Sequence, residues 1–103
     1  MEKEISLGRI YKPSENVVAR DIQGELIIIP IVSGLGNLED VILTLNASGR
    51  AIWNKLGGLK TLKDIVQELA VDYNISVKEM KNDVIGLTKE FLKRKMIIEV
   101  KRG

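Results

Sequence analysis

Two hydrophobic rhythms meet at Leu45-Asn46. Before that point apolar residues fall in short runs separated by turn residues; after it they recur every three or four positions. Val17 to Ile22, then Gln23-Gly24, then Glu25 to Val32 predicts a β-hairpin, with Gly24 supplying the positive φ of a tight turn. Pro30 cannot donate a ladder hydrogen bond, so it belongs at an edge or where pairing stops. Ser33 to Asn37 predicts a second turn, and Val41 to Leu45 a third strand. Residues 1–15 alternate weakly (Ile5, Leu7, Ile10) and stop at Lys12-Pro13-Ser14. This N-terminal arm either moves freely or adds a strand.

Three helices follow. Asn46 is the N-cap of the first, whose apolar positions are Ala47, Ala51, Ile52 and Leu56 and whose end is Gly57-Gly58. Thr61 opens the second, with Leu62, Ile65, Val66, Leu69 and Tyr73 on one face, and Asn74 closes it. Ser76-Val77-Lys78-Glu79 is a capping box opening the third, whose inward line is Val77, Met80, Val84, Leu87 and Phe91. Lys93-Arg94-Lys95 sits in its last turn, where cations complement the helix dipole. Met96 to Val100 predicts a short final strand.

The expected fold is therefore α+β: a three-stranded antiparallel meander, three helices and a short C-terminal strand, in a winged helix-turn-helix-like outline. At 103 residues the chain holds one domain, here residues 16–100. Such an outline does not by itself imply DNA binding.

Composition removes several chemistries. The chain has neither cysteine nor histidine. Disulfides, thiol nucleophiles and the usual general base and metal ligand are thus absent. The remaining carboxylates, lysines and hydroxyls stand in no catalytic spacing, so the expectation is no enzyme, no cofactor and no metal. The longest apolar run, Leu26 to Val32, has seven residues including Pro30. A membrane span needs roughly 20. The N-terminus is charged, with no signal-peptide pattern; a soluble cytoplasmic protein is expected.

Charge is uneven. Residues 1–45 carry four basic and seven acidic side chains, whereas residues 76–103 carry eight and four. That imbalance suits a solvated basic helix better than a nucleic-acid surface, which is usually more strongly basic. Gly34-Leu35-Gly36 lacks the strand-to-helix setting of a dinucleotide loop and predicts a turn. Trp53 is expected as a core anchor.

Two surfaces stand out. On the third helix, Ile85 and Leu92 fall outside the core line, next to Lys81 and Thr88, with Lys78 and Lys89 beyond. They either broaden the core stripe or form one wall of a lysine-rimmed groove. Val41 to Leu45 has no charge, proline or glycine. It is either a central strand, paired for instance with Met96–Val100, or an undefended edge open to strand addition.

Arg20-Asp21 and Gly24-Glu25-Leu26, followed by Leu45-Asn46, Ile52-Trp53, Leu56-x-Gly58-x-x-Thr61, Ile65, Leu69, Tyr73 and Asp83-Val84, resemble the PqqD family across residues 16–100. The chain departs from the family pattern at Lys95-Met96, where a Gly-Leu pair is common, and in a longer segment 30–40. The resemblance implies a non-catalytic chaperone that binds the leader of a ribosomal precursor peptide. It would hand that peptide to a radical S-adenosylmethionine enzyme, as in pyrroloquinoline quinone biosynthesis, or to a leader peptidase, as in lasso-peptide biosynthesis. It makes the 41–45 strand an edge. Ile42, Leu43, Thr44 and Leu45 would receive the peptide, with Lys81, Ile85, Thr88 and Leu92 as the helical wall, and lysines 78, 81 and 89 favouring an acidic leader. Leu43→Pro is expected to abolish binding if the Leu43 N–H faces the peptide. The alternatives are a DNA-binding winged helix acting through Lys89, Lys93, Arg94 and Lys95, and a homodimer formed through the exposed strand edge.

Overall fold

Gln23 and Gly24 both take positive φ, 52° and 84°, the backbone of a tight two-residue hairpin turn whose twist matches its strands. The computed structural model describes residues 5–31 and 42–101. The turn expected at Ser33–Asn37, with Gly34-Leu35-Gly36, and residue Val41 lie outside them. The strands are β1 (Ile10–Pro13), β2 (Val17–Ile22), β3 (Glu25–Pro30), β4 (Leu43–Leu45) and β5 (Ile97–Val100); the helices are α1 (Ala47–Lys55), α2 (Leu62–Tyr73) and α3 (Val77–Lys93). This is the α+β arrangement expected.

Each helix starts where its capping residue requires. Asn46, Thr61 and Ser76 accept hydrogen bonds from the amides of Gly49, Asp64 and Glu79 at 3.0, 3.2 and 3.1 Å, satisfying donors that have no partner inside the helix. Asn74 ends α2 in the left-handed conformation, and α3 ends in a Schellman motif. There the Met96 amide reaches the Phe91 carbonyl at 2.9 Å, and the Lys95 amide reaches that of Leu92 at 3.0 Å.

The strands form two antiparallel sheets, β2–β3–β4 and β1–β5. The final strand therefore does not pair with β4. It takes β1, with Ile10 opposite Val100 and Pro13 opposite Ile97. The N-terminal arm thus adds a strand, and Ile10 and Tyr11 are buried. The arm also completes α2: the Leu62 and Lys63 amides donate to the carbonyls of Arg9 and Leu7 at 3.0 and 2.9 Å.

The core lies between the helices and the inner face of the three-stranded sheet. It contains Leu26, Ile28, Trp53, Leu56, Leu62, Ile65, Val84, Phe91 and Met96. Trp53 meets Phe91 edge to face, with ring centroids 5.0 Å apart, a favoured aromatic geometry. The helical core lines are rotated slightly from those expected. On α1 the buried residues are Gly49, Ile52 and Trp53, not Ala47. On α3 they are Met80, Val84, Thr88 and Phe91, while Val77 in the first turn is 54% exposed.

Candidate functional site: an open strand edge above an apolar groove

The hairpin fixes which backbone groups of β4 are free. In a two-residue hairpin the pair flanking the turn exchanges both hydrogen bonds, and bonded and non-bonded pairs then alternate. Here that pair is Ile22 and Glu25, and the 2.7 Å bond from the Ile31 amide to the Asn16 carbonyl keeps the alternation. Ile27 and Ile29 therefore turn their amide groups to β2, and Leu26, Ile28 and Pro30 turn theirs to β4. Leu26 pairs with Leu45 and Ile28 with Leu43. Pro30 has no N–H to give on that side, and Ile28–Leu43 is the last pair of the β3–β4 ladder among the described residues. Thr44 is left with its N–H and C=O directed away from β3, with Ile42 and the Asn46 amide in phase with it; the Asn46 carbonyl accepts from the Arg50 amide at 2.9 Å. Among the described residues β4 has no neighbour on that side.

Beside this edge lies a groove of about 540 Å³. Its apolar lining comprises buried Leu45, Ile52, Leu69 and Met80, half-buried Leu43, Ile75 and Leu87, and the exposed ring of Tyr73. Thr44, Asn46, Ser48 and Asp83 supply polar groups around it. Gly49 also lines it, and it lets α1 approach β4 closely: a Cβ there would stand 3.1 Å from the Leu45 side chain. Apolar pockets with a few polar groups are the usual form of a ligand site.

Three of the four strand positions singled out in the sequence, Leu43, Thr44 and Leu45, line the groove. Ile42 lies just before β4, outside the lining. The structure does not bring the helical set to the groove. Thr88 is fully buried, Leu92 is partly buried against the core, Ile85 is half-buried and Lys81 exposed. The wall is made instead by Met80, Asp83 and Leu87. At about 100° per residue, Lys81, Leu92 and Ile85 stand roughly 160–200° around α3 from Asp83. The expected wall is thus the opposite flank of the same helix, and lysines 78, 81 and 89 do not line the groove. Tyr73, which the sequence places only on the apolar face of α2, lines the groove. It ends the α2 apolar line but is 46% exposed, as an amphipathic ring is where a core meets water. Nothing in the spacing marks Asp83.

The family model described as Coenzyme PQQ synthesis protein D (PqqD) matches residues 33–97, and the chain belongs to the PqqD family. Two solved structures share its fold. One is TbiB1 in complex with the TbiA(beta) leader peptide, with a TM-score of 0.71 at 20% identity, covering 88% of this chain and 99% of that one. The other is lasso peptide synthetase B1 complexed with the leader peptide, with a TM-score of 0.71 at 15% identity, covering 85% and 96%. No curated protein matches the sequence significantly.

Proposed function

We propose that the protein binds the leader of a ribosomally made precursor peptide as an added strand on β4 and presents it to a modifying enzyme or a leader peptidase. The observation that carries this reading is the free edge at Thr44 beside the apolar groove under α3. Main-chain bonds to Ile42, Thr44 and the Asn46 amide would supply affinity for any extended peptide. Peptide side chains opposite Leu43 and Leu45 would point into the groove and supply selectivity, because alternate residues of a strand share a face. Family membership supports the reading, as does the shared fold of two proteins whose structures contain leader peptides.

The helical contacts we assign to this role are Met80, Asp83 and Leu87, in place of Lys81, Ile85, Thr88 and Leu92. The role is non-catalytic, in keeping with a chain that lacks histidine and cysteine. It belongs in the cytoplasm, where ribosomal precursors are made; among the described residues no helix is long and apolar enough to cross a membrane. Residues 16–100 form the recognition domain, braced by β1.

Amide NMR of the labelled protein, titrated with the precursor peptide encoded beside its gene, tests this. Shifts gathered in 42–46 and at Met80, Asp83 and Leu87 are expected. Saturating peptide with no shifts there would overturn the reading. Light scattering would then show whether β4 pairs with a second copy instead. A DNA titration whose affinity falls steeply with salt would return Lys89, Lys93, Arg94 and Lys95 to consideration.

A further inference from the structure

The groove has an electrostatic side. Asp83 is the charged residue of its lining, the other polar members, Thr44, Asn46, Ser48 and Tyr73, being hydroxyls and an amide. Among the described residues Asp83 forms no salt bridge, whereas Glu90, on the same flank of α3, is held by Arg94 at 2.6 Å. Glu79 lies one turn before Asp83 on that flank and is exposed. Lys78, Lys81 and Lys89 occupy the far flank. A helix with its side chains is about 10–12 Å across, and charges are largely screened beyond about 8 Å at physiological salt. The far lysines therefore do little for a ligand seated on β4.

A strand laid on β4 would cover the groove and draw water away from Asp83. An unpaired carboxylate resists that, and an acidic side chain beside it adds repulsion; a cation relieves both. We propose that Asp83 makes the groove select a leader segment carrying a lysine or arginine in phase with its apolar anchors and reject one with an acidic residue there. The groove-facing positions of the added strand are two residues apart. The recognised pattern is therefore two apolar residues at i and i+2, with the cation two residues from one of them. This replaces the acidic leader expected from the lysines and rests on the peptide-binding reading above.

A random dodecapeptide library, displayed on messenger RNA and selected in parallel against the wild-type protein, Asp83→Asn and Asp83→Lys, tests it. Enrichment of the apolar pair with Lys or Arg in phase is expected for the wild type. Asp83→Asn should keep the apolar pair and lose the cation, and Asp83→Lys should enrich Asp or Glu at the same place. In a synthesised winner, Lys in place of Gln at that position should tighten binding to the wild type by about two- to fivefold at low salt, the scale of an exposed ion pair. It should give no gain with Asp83→Asn. Equal cation content in the wild-type and Asp83→Asn pools, or acidic residues enriched on the wild type, would overturn the charge selection while leaving peptide binding intact. No enrichment with any of the three proteins would overturn the peptide-binding reading, and this proposal with it.

Discussion

Lys95 holds φ at 59°, in a region that costs an L-residue about 1–2 kcal/mol and glycine almost nothing. It is the residue past the end of α3 in the Schellman motif, the position that glycine most often fills. Met96 completes the motif and is fully buried with Phe91, so the chain cannot easily relax out of it. Lys95→Gly should stabilise the fold by about 0.5–1 kcal/mol, after allowing for the greater freedom of glycine in the unfolded chain; urea unfolding midpoints of the two proteins measure it. Thr88 makes a second residue-scale case. It is fully buried, and its Oγ1 has no hydrogen-bond partner among the described residues. A buried hydroxyl without a partner costs about 1–3 kcal/mol. Thr88→Val keeps the branched shape and removes the orphan, so a gain of about 1 kcal/mol in the same unfolding experiment is expected. That gain should leave peptide affinity unchanged, because Thr88 faces the core and not the groove.

At the scale of elements, β4 separates two proline substitutions one residue apart. The Leu43 amide points to β3, so Leu43→Pro should weaken the sheet itself, seen as a lower thermal midpoint. The Thr44 amide points to the open edge, and prolines are tolerated at such positions. Thr44→Pro should leave the thermal midpoint within a few degrees and weaken leader binding about tenfold or more, the loss of one main-chain bond plus an unmatched peptide carbonyl. Isothermal titration beside a melting curve distinguishes the two. The α1–α2 connection carries its own pH signature. Glu68 accepts from Lys55 at 2.8 Å and from Lys60 at 2.6 Å. The bond from Lys55, then that from Lys60, holds its pKa below the ordinary 4.5, and the same bond raises Lys55 above 10.5. The unfolded chain therefore binds the Glu68 proton more readily than the folded one. The Glu68 contribution is complete above about pH 4.5 and is lost as pH falls through the depressed value; that of Lys55 is complete below 10.5 and is lost as pH rises through the raised one. Glu68→Gln should flatten stability at both ends of a pH series. What was legible in the sequence divides along the same line. The caps at Asn46, Thr61 and Ser76 and the Gln23-Gly24 turn are settled by residues within a few positions of each other, and they stand where expected. Which flank of α3 meets β4, and which strand takes β5, depend on packing between segments far apart in the chain. The apolar surplus at Ile85 and Leu92 lies on the flank opposite the groove; hydrophobic periodicity reports how wide a buried stripe is but not what lies beside it.

The whole molecule is held together by a segment that reads poorly in one dimension. Residues 10–13 alternate too weakly to announce a strand, yet they bind both ends of the fold. Ile10 and Tyr11 are 4% and 3% exposed. The Tyr11 carbonyl accepts from the Gly58 amide at 3.0 Å after α1, and the carbonyls of Arg9 and Leu7 take the first amides of α2. Burial raises the Tyr11 pKa above 10.0, as expected for a phenol kept from water. A chain beginning at residue 14 would lose β1, strip the cover from Ile97 and leave the Leu62 and Lys63 amides without their partners. Burial of two such side chains contributes about 1.5–3 kcal/mol each and three backbone bonds about 1 kcal/mol each, offset in part by the cost of ordering the arm, about 1–2 kcal/mol per residue. Even a net loss of a few kcal/mol is a large share of the stability of a small domain, about 5–15 kcal/mol. The truncated chain should therefore melt well below the full-length protein by circular dichroism, although β2, β3, β4 and the groove are untouched in sequence. Binding should partly rescue it: a ligand specific for the folded form at 100 times its Kd adds about 2.7 kcal/mol. A truncated chain with the full-length urea midpoint would instead make β1 an accessory strand, and the recognition domain would then stand alone from residue 16.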